Sequence, residues 1–179
     1  MRLPNERYEF IKGEVTYLYE CYQVHRIPIS GIELADKMGI ILISYSSLGE
    51  RKRNAAEKVS KDGFFLETVD GRNIIFYNDT IPYERMNMTI LHEIGHYILD
   101  HYEGSDEEEA EARFFAKYAA APPPLIDRIA PKSPRDIADV FKIGFSAAVI
   151  AYGYYKKWLI YRKNIYLDYE IRLLRLFTV

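Results

Sequence analysis

The sequence predicts an α+β fold, in which a small antiparallel or mixed sheet packs on two successive helices and further helical segments lie at both ends. Three observations carry that prediction. Two short apolar runs, at 63–68 and 73–77, flank Val69-Asp70-Gly71-Arg72, and an Asp-Gly pair between such runs signals a hairpin of antiparallel strands. Pro82 stands just before a helix over 83–100, Gly104 breaks the chain, and Ser105-Asp106-Glu107-Glu108 is a capping box that opens a second helix to Ala121. Near the start, Tyr8, Ile11, Val15, Leu18, Tyr19 and Tyr22 recur at helical spacing and make one apolar stripe over 7–24.

The remaining elements follow in order. After the turn at Pro28, Ser30 caps a short helix to Met38, with Ile32, Leu34, Ala35 and Met38 inward and Gly39 as its stop signal. Residues 40–45 read as a buried strand. The polar, basic stretch 48–62, which includes Arg51-Lys52-Arg53, reads as a loop with a helical turn over 55–59. Pro122-Pro123-Pro124 ends the second long helix and marks the boundary expected in the chain, between residues 1–123 and a helical C-terminal extension over 124–179 packed on them as one unit. Within the extension, Ser133-Pro134 starts helical pieces that run to about 161. The alternation over 164–179 points to a short strand.

Composition bounds the function. With 179 residues, 49% of them hydrophobic and 28% charged, the chain can bury a core and is not a disordered or collagen-like sequence. The single cysteine, Cys21, excludes an internal disulfide and a multi-thiolate metal site; with no apolar leader after Met1, a cytoplasmic protein is expected. The most apolar stretch, 143–155, is well short of the roughly 20 residues a membrane helix needs. Residues 1–123 carry 14 Lys/Arg against 21 Asp/Glu, and 124–179 carry 10 against 5. The tail is therefore basic, but its aromatic residues at helical spacing read as core, so direct nucleic-acid binding is not expected.

The informative pentapeptide is His92-Glu93-Ile94-Gly95-His96. Four helical residues rise about 6 Å and turn about 400°, so the two histidines project from one face, where two imidazoles can hold one zinc ion. Glu93 lies beside them as a candidate general base. Such a site wants a third protein ligand. Asp100 stands about 12 Å from His92 along the axis and is too far, while His101 is rotated about 140° from His96 if the helix persists. The second helix offers Glu107, Glu108, Glu109 and Glu111. A helical hairpin turning near Glu103-Gly104 sets Glu111 level with His96, and Glu111 heads an apolar stripe with Phe114, Phe115 and Tyr118. A carboxylate in that position needs a partner. The other three read as a solvated first turn that favours the helix dipole. His101 is a further catalytic candidate, able to polarise a scissile carbonyl, with Tyr97 and Arg113 as alternatives for the same task. His25 reads as an isolated imidazole.

The run Ile90-Leu91-His92-Glu93-Ile94-Gly95-His96-Tyr97-Ile98-Leu99-Asp100-His101, followed by Glu109-Ala110-Glu111-Ala112-Arg113-Phe114-Phe115-Ala116 and closed by Pro122, resembles the ImmA/IrrE family of zinc metallopeptidases of phages, mobile elements and bacterial stress regulators. The preceding strand Ile74-Ile75-Phe76-Tyr77-Asn78 extends the likeness, which runs from about residue 32 to about 152. Arg113 stands where family members commonly carry Asn or Asp. The resemblance implies a zincin-like fold and a gluzincin-like site in which His92, His96 and Glu111 bind one Zn²⁺ and Glu93 is the catalytic base. It implies a protein substrate, a helix-turn-helix repressor of a mobile element supplied as a separate chain. The alternative is a catalytically inactive metal-binding module that regulates a repressor by contact alone.

Overall fold

The computed structural model describes residues 2–162 and 165–177. In chain order these form α1 (Asn5–Cys21), α2 (Gly31–Lys37), β1 (Ile41–Ser44), a 3-10 turn at Tyr45–Ser47, α3 (Glu50–Val59), β2 (Gly63–Glu67), β3 (Asn73–Tyr77), α4 (Tyr83–Ile98), α5 (Asp106–Ala120), α6 (Pro123–Arg128), α7 (Pro134–Phe141), α8 (Phe145–Tyr161) and α9 (Asp168–Leu176). The fold is α+β and zincin-like, as expected. No single described helix is long and apolar enough to cross a membrane.

The described chain divides into two compact units. The first comprises Ser30–Ala116 and holds the sheet, whose strand order is β1-β3-β2. The Asp-Gly hairpin forms as its sequence dictates: β2 pairs antiparallel with β3, and Gly71 takes a φ of +79° in the turn. Strand β1 pairs parallel with β3, Ile41 opposite Ile74 and Ser44 opposite Tyr77, so the sheet is mixed. Its helices are placed by specific contacts. Ser30 accepts a hydrogen bond from the Glu33 N–H and caps α2, and the Gly31 N–H donates to Oδ1 of buried Asn87 on α4 at 2.6 Å.

Helix α4 lies at the centre of this unit. Ile90, Leu91 and Ile94 on it are fully buried, each contributing about 1.5 to 3 kcal/mol relative to exposure. Gly95, on the same helix, lets α5 approach closely: a Cβ there would lie 3.0 to 3.2 Å from three atoms of the fully buried Phe115. Gly95→Val should therefore overpack the α4–α5 contact and destabilise the protein by about 1 to 3 kcal/mol. Gly13→Ala, in α1 with nothing within 4 Å of the added methyl, should stabilise by up to about 1 kcal/mol. Denaturant titration of both variants checks the contrast, and a Gly95→Val variant as stable as wild type would contradict the close-approach account.

The second unit comprises Arg2–Ile29 and the chain from Lys117 onward. Its core includes Ile11, Val15, Tyr19, Leu125, Ile126, Ile137, Phe141 and Leu173, and buried Tyr19 donates its hydroxyl hydrogen to the Ala119 carbonyl at 2.6 Å. Helix α1 packs on α9.

Two local expectations are corrected and one is extended. The stretch read as a loop with one turn is the full helix α3, since Arg, Lys, Glu and Ala favour helix; Ala56 is its buried residue. Pro122-Pro123-Pro124 both ends α5 and opens α6, with prolines at positions whose N–H has no helical partner. The strand expected over 164–179 is helix α9: the Leu167 N–H donates to Glu170 at 2.9 Å, the Trp158 Nε1–H donates to the same carboxylate at 2.6 Å, and Leu173 is fully buried. Residues 164, 178 and 179 of that expectation lie outside the described residues.

Candidate metal centre

The site is built entirely from the first unit. Within α4 the i, i+4 spacing does what the sequence demands, and His92 and His96 face one another with their Nε2 atoms 3.1 Å apart. The carboxylate that closes on this pair comes from the first turn of α5. Glu109 lies 3.3 Å from His96 Nε2 and 3.6 Å from His92 Nε2. Among the described residues these three form a group whose ligand atoms all lie within 4.8 Å of one another. Donors bonded to one ion at about 2.0 to 2.1 Å and spread tetrahedrally stand about 3.3 Å apart, so the arrangement fits a divalent cation.

The carboxylate that faces the two histidines in this structure is Glu109, where the sequence pointed to Glu111. The reason is the end of α4. The helix stops at Ile98, short of the expected residue 100, and Asp100 takes a left-handed φ of +52°. The Asp100 N–H then donates to the Tyr97 carbonyl and the His101 N–H to the His96 carbonyl, the paired bonds of a Schellman cap. The connection to α5 is centred near Tyr102, ahead of the Glu103-Gly104 turn that set Glu111 level with His96. A shift of two residues on a helix rotates a side chain by about 200°.

The same cap moves His101. Instead of facing away from His96, it is folded back so that its Nδ1 lies 3.0 Å from His96 Nδ1, and its Nε2 lies 2.9 Å from Glu111. Both side chains are almost fully buried, 4% and 6% exposed. Glu111 does head a buried stripe and does need a partner; that partner is His101. Both ring nitrogens of His101 are thus engaged within the protein, one by His96 and the other by Glu111. The linking loop is tied by Glu108, which accepts from the backbone N–H groups of Ser105, Tyr102 and Glu103, and these bonds hold its carboxyl down at about 2.

Glu93, one residue on from His92, is buried, and its Oε2 accepts from the Phe65 N–H of β2 at 3.0 Å. Phe65 also packs its ring on Tyr97, with centroids 5.6 Å apart, which fixes the strand against α4. Gly63 permits that approach, because a Cβ there would sit 2.7 Å from the Phe76 carbonyl oxygen and 2.8 Å from Thr89 on α4. Burial raises the Glu93 carboxyl to about 7, against the lowering effect of the Phe65 bond. Burial also holds His92 and His96 below their ordinary values, so both imidazoles are neutral near pH 7 with a lone pair free to ligate. Two neutral imidazoles, an anionic Glu109 and a buried base are a donor set that a divalent cation complements, and its charge would return Glu93 to the ionised form.

Sequence reasoning thus named His92, Glu93, His96, His101 and Glu111, and the structure brings all five together. It missed Glu109 as the carboxylate facing the histidines, and it missed the Phe65 N–H. The signal for Glu109 was the position of the α4 C-cap; for a backbone N–H the sequence carries none. His25 is exposed, with its Nδ1 2.8 Å from the Gln23 carbonyl, and lies in the other unit.

The chain matches one family model over residues 36–151, the IrrE N-terminal-like domain of peptidase M78. No curated protein matches it.

Proposed function

Because the chain belongs to the peptidase M78 family of IrrE N-terminal-like domains, a family of metallopeptidases, we propose that it is a zinc-dependent endopeptidase acting on a protein substrate in the cytoplasm. One observation carries this reading: two imidazoles and a carboxylate converge at the spacing of a tetrahedral ion, with a buried carboxylate next to them in sequence. His92, His96 and Glu109 would hold the metal. When bound, zinc in such a three-ligand site supplies Lewis acidity toward a scissile carbonyl and acidifies water.

The chain's own residues do the remaining work. Glu93 takes the proton of the attacking water and returns it to the leaving amine, the two halves of general acid–base catalysis. The Phe65 N–H holds one oxygen of that carboxylate, leaving the other for the proton. Burial favours the protonated form of the carboxylate and a bound cation's charge would oppose it, so the two together set its proton affinity. The substrate is proposed to be a helix-turn-helix repressor of a phage or mobile element, cut to release transcription; the resemblance to regulatory members of the family supports this.

Metal content tests the first step. Dialysed wild-type protein should retain about one zinc per chain, and His92→Ala and His96→Ala should each abolish it. Stoichiometric metal retained by either variant overturns the ligand assignment. Co-expression with a repressor encoded beside it should yield two discrete fragments, and an intact repressor alongside zinc-loaded enzyme would remove that substrate.

A further inference from the structure

We propose that His101, braced by Glu111, is a positioning residue that orients the metal ligand His96, because its Nδ1 lies 3.0 Å from His96 Nδ1 while Glu111 holds its Nε2 at 2.9 Å. The inference rests on the metallopeptidase reading and deepens it.

The polarity of this chain of contacts is fixed from one end. His96 presents Nε2 to His92 and Glu109, so a metal there takes the Nε2 lone pair and leaves the proton of the neutral ring on Nδ1. That Nδ1–H then donates to His101, whose Nδ1 must be bare to accept. The proton of His101 accordingly sits on Nε2 and donates to the Glu111 carboxylate. Each ring is used once as donor and once as acceptor or ligand, and the chain ends on a full negative charge. An anion at the far end makes each nitrogen in the series a better acceptor, which strengthens His96 as a ligand and fixes its ring plane.

Three features make the arrangement a built one. The Schellman cap returns His101 to the final turn of α4, the His101 and Glu111 side chains are 4% and 6% exposed, and Glu108 ties down the loop between them. His92 is served separately, by a hydrogen bond to the Ala112 carbonyl of α5. Both histidine ligands thus have an orienting acceptor; that of His96 is itself a neutral ring, and the charge lies one step beyond it, on Glu111.

The test reads the tautomer directly. In zinc-loaded wild-type protein labelled with ¹⁵N-histidine, long-range ¹H–¹⁵N spectra should show His96 protonated at Nδ1 and His101 protonated at Nε2 with a bare Nδ1. A His101 protonated at Nδ1, or averaging between tautomers, overturns the proposal. Zinc affinity by competitive chelator titration supplies the second readout. His101→Leu should weaken zinc binding by about tenfold or more, and His101→Gln, whose carbonyl can still accept from His96 Nδ1–H, should recover most of the loss. Equal losses in the two variants, or no loss in either, overturn it. Should His101→Leu fail to fold, the wild-type spectrum decides alone. Wild-type protein that takes up no zinc overturns this inference and the metallopeptidase reading together, whereas protein that binds zinc and cleaves substrate with the opposite His101 tautomer overturns only the inference.

Discussion

Glu93→Gln is expected to bind zinc as wild type does and to cleave its substrate 100-fold to 10,000-fold more slowly. The substitution keeps side-chain size and can still accept the Phe65 N–H through its amide oxygen, so β2 should stay seated on α4. What it removes is proton affinity: an amide cannot take a proton from water near neutral pH. Metal content and single-turnover cleavage, measured on the same preparation, separate the two effects. Cleavage at the wild-type rate by Glu93→Gln would falsify the general-base assignment and favour a module that acts on its partner by contact alone. Loss of metal in this variant would instead show that Glu93 contributes to the donor set.

The second large effect concerns the choice between two acidic residues that sit two positions apart. Glu109→Gln should weaken zinc binding on the order of 100-fold or more, because a unit charge within about 4 Å of a dication is worth several kcal/mol at an effective dielectric near 20. Glu111→Gln removes a charge that reaches the metal only through His101 and His96, and its amide oxygen can still accept from His101 Nε2–H, so a loss of about tenfold or less is expected. Glu107→Gln, on an exposed first-turn residue, should change affinity little. Competitive zinc titration of the three variants orders them. If Glu111→Gln proved the most damaging, the register of α5 on α4 in solution would differ by two residues from the one described.

The legible part of this protein lies in signals that act within one element. The spacing of His92 and His96 becomes a shared face as soon as residues 83–98 are helical, whatever packs around them. Asp70-Gly71 makes its turn because glycine reaches positive φ without strain, and Ser105 with Glu108 caps α5 by bonds that span three residues. These suffice for the sheet hairpin, the two principal helices, the family and most of the site.

Tertiary structure decided what depends on where one element ends relative to another. Glu109 and Glu111 have the same chemistry and nearly the same position in sequence; which one meets the histidines follows from the left-handed turn at Asp100, which stops α4 early and brings α5 in two residues ahead of a symmetric hairpin. A helix continued past Ile98 would turn His101 away from His96, and the same turn at Asp100 folds it back. The Phe65 N–H reaches Glu93 because Gly63 lets β2 sit against α4, a contact made by backbone and by the absence of a side chain. Helix α9 forms where the terminal stretch suggested a strand, because Glu170 accepts from the Trp158 Nε1–H of α8 and Leu173 is buried on packing. For Glu109 and His101 the deciding quantity is a register between elements, and a register shift of one or two residues, about 100° or 200° of helix rotation, changes which side chain faces the site while leaving every local pattern in the sequence unchanged.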